Sequence, residues 1–179
     1  MSDVPEAPLE HDEGGLVPKG EGWFVLNARE ARWLHSEKLG SYCGFEGEPE
    51  FPEVGVNLNV LAPGQPLGMY HGEDAQEDFM VLHGEALLLI EGEERRLRQW
   101  DLVHCPPWTE HIIVGAGTGL CVVLGVGGRT RPVDLIYPAE PFAKAHDAAA
   151  EVTTKVGREA YARFARPVRG PYREGHLPD

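Results

Sequence analysis

The sequence predicts an all-β fold, and three observations carry that expectation. Short apolar runs recur at intervals of about ten residues, the spacing of strands in a sandwich, jelly roll or barrel. Breakers stand between them: 22 glycines and 15 prolines in 179 residues, well above the roughly 12% of an average composition. The segment "GVNLNVLA" alternates with period two, placing Val54, Val56, Leu58 and Val60 on one face and Asn57 and Asn59 on the other. Hydrophobic residues make up 42% of the chain, enough for a core. Its length favours one domain with appended arms over two full domains.

Taken in order, residues 1–21 are acidic and rich in Gly and Pro, as in a mobile or draped arm. "WFVLN" reads as a short strand, and "AREARWLHSEKLG" as a helical turn or short helix ending at Gly40. After "GVNLNVLA" comes a proline-glycine break, "APGQPLG", and then "GMYHGEDAQEDFMVLHGE". "ALLLIEGEERRLRQW" predicts two strands joined by a two-residue hairpin at Gly92–Glu93. "DLVHCP", "HIIVGAG" and "LCVVLGVG" supply three more strands, and the glycines of "GAGTG" and "GVGG" read as turns. Beyond Arg131 an extended piece mixes with helix, and "ARPVRGPYREGHLPD" reads as a loose tail. The expected organisation is an acidic arm over 1–21, a barrel over 22–131 and a C-terminal arm over 132–179, the arms covering a barrel mouth or a second subunit, or lying solvated.

The net charge of −13 argues against nucleic acid as a partner, because phosphate binding needs basic clusters. No stretch approaches the ~18 apolar residues of a membrane span. The N-terminal segment lacks the basic and apolar regions of a signal peptide, so the expected location is the cytoplasm. Cys43, Cys105 and Cys121 are odd in number and show no CxxC spacing, which fits free thiols in a reducing compartment. Cys105 reads as a small buried hydrophobe. His11, His35, His146 and His176 lie in the arms, where solvent exposure is the default.

The chemistry is concentrated in "GMYHGEDAQEDFMVLHGE". Residues two apart on a strand share a face, so His71 and Glu73 project together. Glu77 follows a short turn and opens the next apolar run, from which it returns a third side chain to the same point. A buried carboxylate without a partner is costly, and two together raise at least one pKa. A divalent cation removes both problems. His111, at the start of "HIIVGAG", offers a fourth ligand.

These residues resemble the two motifs of the cupin superfamily. Pro63–Gly64, His71, Glu73, Glu77 and Gly84 follow the order of the first motif; Trp100, Pro106, Trp108, His111 and Gly115 follow the second, with Asp101 in its usual acidic place. The likeness covers roughly residues 54–127. It implies a double-stranded β-helix, or jelly-roll, barrel of the single-domain kind. It also implies one divalent metal per chain, with His71, Glu73, Glu77 and His111 as the matched ligands. Glu73 stands where a histidine is usual, Trp100 and Trp108 where glycines are, and Gly115 where an asparagine is. If Glu73 turns away, a two-histidine, one-carboxylate triad remains, and Gln76 is an alternative oxygen ligand. Ligand type does not choose among Fe, Mn, Zn and Ni.

The resemblance implies a metal-dependent enzyme of the dioxygenase, isomerase or decarboxylase type, acting on a small oxygen-rich metabolite. Glu73 is then a fourth ligand or a general base. The alternative is a non-catalytic small-molecule or sugar binder or sensor. A homodimer, joined through the N-terminal strand or the C-terminal arm, would cover sheet edges.

Overall fold

A computed structural model of the chain describes residues 3–48, 50–129 and 133–179. The boundary expected between residues 131 and 132 lies outside the described residues. Two hairpins come first, β1 (Leu9–Asp12) with β2 (Gly15–Pro18) and β3 (Trp33–Ser36) with β4 (Gly40–Cys43). The barrel strands are β5 (Val54–Leu61), β6 (Gly72–Glu73), β7 (Glu77–His83), β8 (Glu85–Ile90), β9 (Glu93–Arg98), β10 (Leu102–Cys105), β11 (His111–Ala116) and β12 (Cys121–Gly128). The C-terminal arm holds β13 (Leu135–Ile136), the single-turn helices α1 (Pro141–Lys144) and α2 (Gly157–Ala160), and β14 (Val168–Gly170).

One sheet runs β10-β7-β12-β5-β4-β3-β14 and a second runs β11-β8-β9, in an all-β jelly roll. Side chains of alternating parity fill the space between them. Leu61, Phe79, Val81, Val103, Cys105 and Val123 from the first sheet meet Ala86, Leu88 and Ile113 from the second. The opposite parity of each strand is covered from outside. Val60 and Val122 pack under Trp33, Tyr172 and Leu177, and Leu89, Ile112 and Val114 pack under Ala143, Ala148 and Ala149. The C-terminal arm is thus folded onto the barrel of its own chain, and the valine face of β5 looks outward, with Val60 under that covering layer. The interior side of β5 carries Asn57, Asn59 and Leu61 instead.

Several local expectations are corrected. "WFVLN" forms no strand, since Trp23 makes a single bridge to Glu6 and, among the described residues, no partner strand runs beside residues 24–27. In "AREARWLHSEKLG" only the first turn is helix-like, with the Glu30 and Ala31 amides donating to the Asn27 carbonyl. The rest is the β3–β4 hairpin, because burial of Trp33 and His35 imposes period two on helix-favouring residues. The hairpin turn lies one residue early, at Glu91–Gly92. Both take positive φ (49° and 79°), as a type I′ turn requires. Residues Gly125–Gly128 of "GVGG" lie within β12 rather than in a turn.

The C-terminal tail is not loose. Val168–Gly170 pair with β3, and Tyr172 and His176 set their rings against Trp33, which is fully buried. Nor is His35 exposed. Its Nε2–H donates to the Pro171 carbonyl (2.9 Å), which only accepts, so Nδ1 accepts from the Ser41 hydroxyl (2.9 Å). His176 is half-buried beside it, with ring centroids 6.2 Å apart.

Candidate metal centre

Glu77 opens β7 and His111 opens β11, each at the parity that faces the interior, one on each sheet. His71 pairs with His111 across an isolated antiparallel bridge, which brings the two rings to 5.2 Å. His71 Nε2 lies 3.3 Å from Glu77 Oε2, and His111 Nε2 lies 3.2 Å from the same oxygen. All three ligand atoms fall within 4.8 Å of one another.

The imidazoles are oriented from behind. His71 Nδ1 faces the Met69 carbonyl and His111 Nδ1 the Thr109 carbonyl, both at 2.9 Å. A carbonyl only accepts, so Nδ1 carries the proton in each neutral ring and Nε2 presents its lone pair to Glu77. Ligating histidines are held in this way, with the remote nitrogen donating to a backbone oxygen. Glu77 Oε2 and His111 Nε2 are buried without a hydrogen-bond partner. Three acceptors aimed at one point need a cation, either a proton or a metal ion. Two imidazoles and a carboxylate are a donor set that suits a divalent transition metal, so the residues fit the ion that the motifs imply.

Without a metal, burial pushes the Glu77 carboxyl up, but contact with His111 and His71 overrides it and holds the group at about 2. Burial lowers His71, yet Glu77 beside it wins and the net shift is upward. Glu73 is pushed up to about 7, by burial first and by the Glu77 charge second.

Glu73 stands at the edge of this group, its Oε2 4.0 Å from His71 Nε2. It lines the same cavity but is not among the three converging atoms. Gln76 is exposed and its amide bonds to Asp78, so it is removed from the centre. His104 turns outward onto Asp78 Oδ1 (2.6 Å) and His83 is exposed. Cys105 is buried in the inner core, which pushes its thiol up to about 12. Trp108 is half-exposed, and its amide donates to the Glu73 carbonyl (2.5 Å).

The cavity before the centre measures about 220 Å³. Several of its walls went unrecognised in the sequence. Gly125 and Gly127 of β12 face inward; a Cβ at Gly127 would come within 3.6 Å of Glu77 Oε1. Glycines two apart in a β-branched strand were the available signal, since they leave space on one face. Tyr137 stacks obliquely on His71 (5.8 Å) from the arm, and no local pattern announced it.

A family model described as a cupin domain matches residues 57–127, the strands that carry Glu77 and His111. Residues 57–127 form a cupin domain. No curated protein matches the sequence. Among solved structures this cupin is similar to a predicted oxalate decarboxylase from Thermotoga maritima, with TM-score 0.52 and 18% identity, covering 59% of this chain and 99% of that one. It also resembles a Cupin 2 conserved barrel domain protein from Salinispora arenicola (TM-score 0.49, 21% identity, 60% and 89% covered). A candidate sugar phosphate isomerase from Acidithiobacillus ferrooxidans is 27% identical with TM-score 0.45, and the match covers 46% of this chain and 55% of that protein's length. Among the described residues, no helix is long and apolar enough to cross a membrane.

Proposed function

We propose that this cupin is a metal-dependent enzyme of the dioxygenase, isomerase or decarboxylase type, acting on a small oxygen-rich metabolite. The observation that carries the reading is the convergence of His71 Nε2, His111 Nε2 and Glu77 Oε2, with both Nδ1 atoms tied back to carbonyls. His71, Glu77 and His111 would hold one Fe, Mn, Zn or Ni ion, with Glu73 as a weaker fourth ligand. When bound, the ion supplies a Lewis acid that polarises substrate oxygens or activates O₂.

The chain's own residues define the rest. Held by three protein ligands, the ion would have room for substrate oxygens on the side of the small cavity lined by Glu73 and Glu77. Glu73, beside the three converging atoms, would act either as that fourth ligand or as the base that takes a proton from a bound substrate. Tyr137 and Phe79 pack against the two imidazoles and keep water from their faces. Met69 O and Thr109 O hold the rings in the ligating tautomer. The enzyme reading is favoured over a passive binder by this adjacent carboxylate. We further propose a cytoplasmic homodimer with a small-molecule ligand and no nucleic-acid or membrane partner.

The test is elemental analysis of protein purified without chelators or a nickel column, followed by turnover assays on small hydroxy acids, oxo acids, diols and sugars. About one equivalent of metal per chain and turnover lost in Glu73→Gln with metal retained would support the enzyme. Metal content equal in wild type and His71→Ala/His111→Ala would overturn it.

A further inference from the structure

We propose that the cavity under the C-terminal arm is a second compartment of the same site, built for the apolar body and terminal carboxylate of an amphipathic metabolite. It rests on the metal-centre reading only for what lies at the ligand's other end.

Size makes the first argument. The space before His71 and Glu77 is about 220 Å³, enough for a few heavy atoms. The cavity under the arm is about 590 Å³, within the ~300–1,000 Å³ of pockets that enclose whole metabolites. The two spaces share Asn57 and Leu67 in their walls, so they lie side by side at β5 and at the turn before His71.

The walls specify the chemistry. Leu39, Leu67, Tyr161 and Phe164 give a largely apolar lining, interrupted by Ser36, Asn57 and Asn59, which suits the body of an amphipathic ligand. Arg158 and Arg166 stand exposed at the margin. Among the described residues neither has an acidic partner, in a chain whose net charge is −13. A guanidinium fork matches a carboxylate in shape and charge. The roof is fixed to the floor, because the Tyr161 hydroxyl accepts the Met69 amide (3.1 Å). The ligand is thus an acid with an apolar chain, whose carboxylate meets the arginines while its body runs toward Leu67 and the metal.

The test uses octanoate, with 1-octanol as the neutral control, titrated calorimetrically into the full chain. Octanoate is expected to bind at one site per chain. Arg158→Glu/Arg166→Glu is expected to weaken it by at least about tenfold while 1-octanol is unaffected, as loss of charge-assisted pairing requires. Phe164→Ala should weaken both compounds. His71→Ala/His111→Ala should leave octanoate affinity within about twofold, since those residues are not in this compartment. If wild type binds octanoate but holds no metal, the proposed enzyme fails and this compartment stands. If octanoate does not bind, binds the arginine variant equally well, or is lost with the histidines, the compartment is not as proposed.

Discussion

His111 Nε2 lies 3.2 Å from Glu77 Oε2, and neither buried atom has a hydrogen-bond partner. Two facing lone pairs repel unless a cation stands between them, so the folded chain should be stabilised by whatever cation fits. Adding metal to chelator-treated protein at about a thousand times its Kd should raise stability by about 4 kcal/mol. His111→Ala should abolish that response in thermal melts. An equal rise in both proteins would place the ion elsewhere.

Glu73 is 4.0 Å from His71 Nε2, whereas Glu77 is 3.3 Å away. Glu73→Ala is therefore expected to weaken metal binding by roughly 10–100-fold, the usual effect of losing a supporting group, while His71→Ala removes binding. Competition against a chromophoric chelator reads the order directly. Equal loss in the two variants would make Glu73 a full ligand and end the open-triad arrangement.

His35 carries a pH dependence away from the metal centre. Burial lowers its pKa below 6.5, and the Pro171 carbonyl, which favours the charged form, does not offset this. The unfolded chain then binds the proton more readily than the folded one. Stability is fully present above pH 6.5 and declines as pH falls through the lowered pKa. Burial lowers His176 in the same direction. Melts at pH 5 and 7.5 should differ, and His35→Gln should narrow the gap. An unchanged gap would assign the acid sensitivity to other groups.

Trp100 takes φ 75° and is 67% exposed, so its side chain gains little from packing while its backbone sits where glycine is favoured. The strain is worth ~1–2 kcal/mol, against ~0.5–1 kcal/mol for the extra freedom of an unfolded glycine. Trp100→Gly should leave stability unchanged or raise it by up to about 1 kcal/mol, measured by denaturant melts. A loss above that amount would show that the indole makes contacts that matter.

The barrel was legible because its strands are short apolar runs with turn residues between them, as in β7, β8, β11 and β12. His71 and Glu77 were legible from their spacing and His111 from its match to the second motif; that Glu77 and His111 begin inward-facing registers came from the fold. What could not be read was the outer layer. Strand β3 (WLHS) is flanked by Ala, Arg, Glu and Lys, residues that favour helix, and burial of Trp33 and His35 makes it a strand. Val60 of β5 points outward and is buried because the tail and Trp33 cover it, a long-range fact with no local trace. Asn57 and the inward glycines of β12 looked like solvent-facing or turn residues for the same reason.

The pairing of β14 with β3 bears on kinetics. His35 and Pro171, joined by a hydrogen bond, are 136 residues apart in sequence. The strands around the inner core include the tight β8–β9 hairpin and close shorter loops. Loop closure costs more for distant segments, and contacts of long sequence separation form slowly. On dilution from denaturant, the inner layer should therefore gain amide protection before Trp33 is covered, which pulsed hydrogen exchange resolves. Unfolding would then begin where folding ends, with the layer over Trp33 parting while Glu77 and His111 are still enclosed.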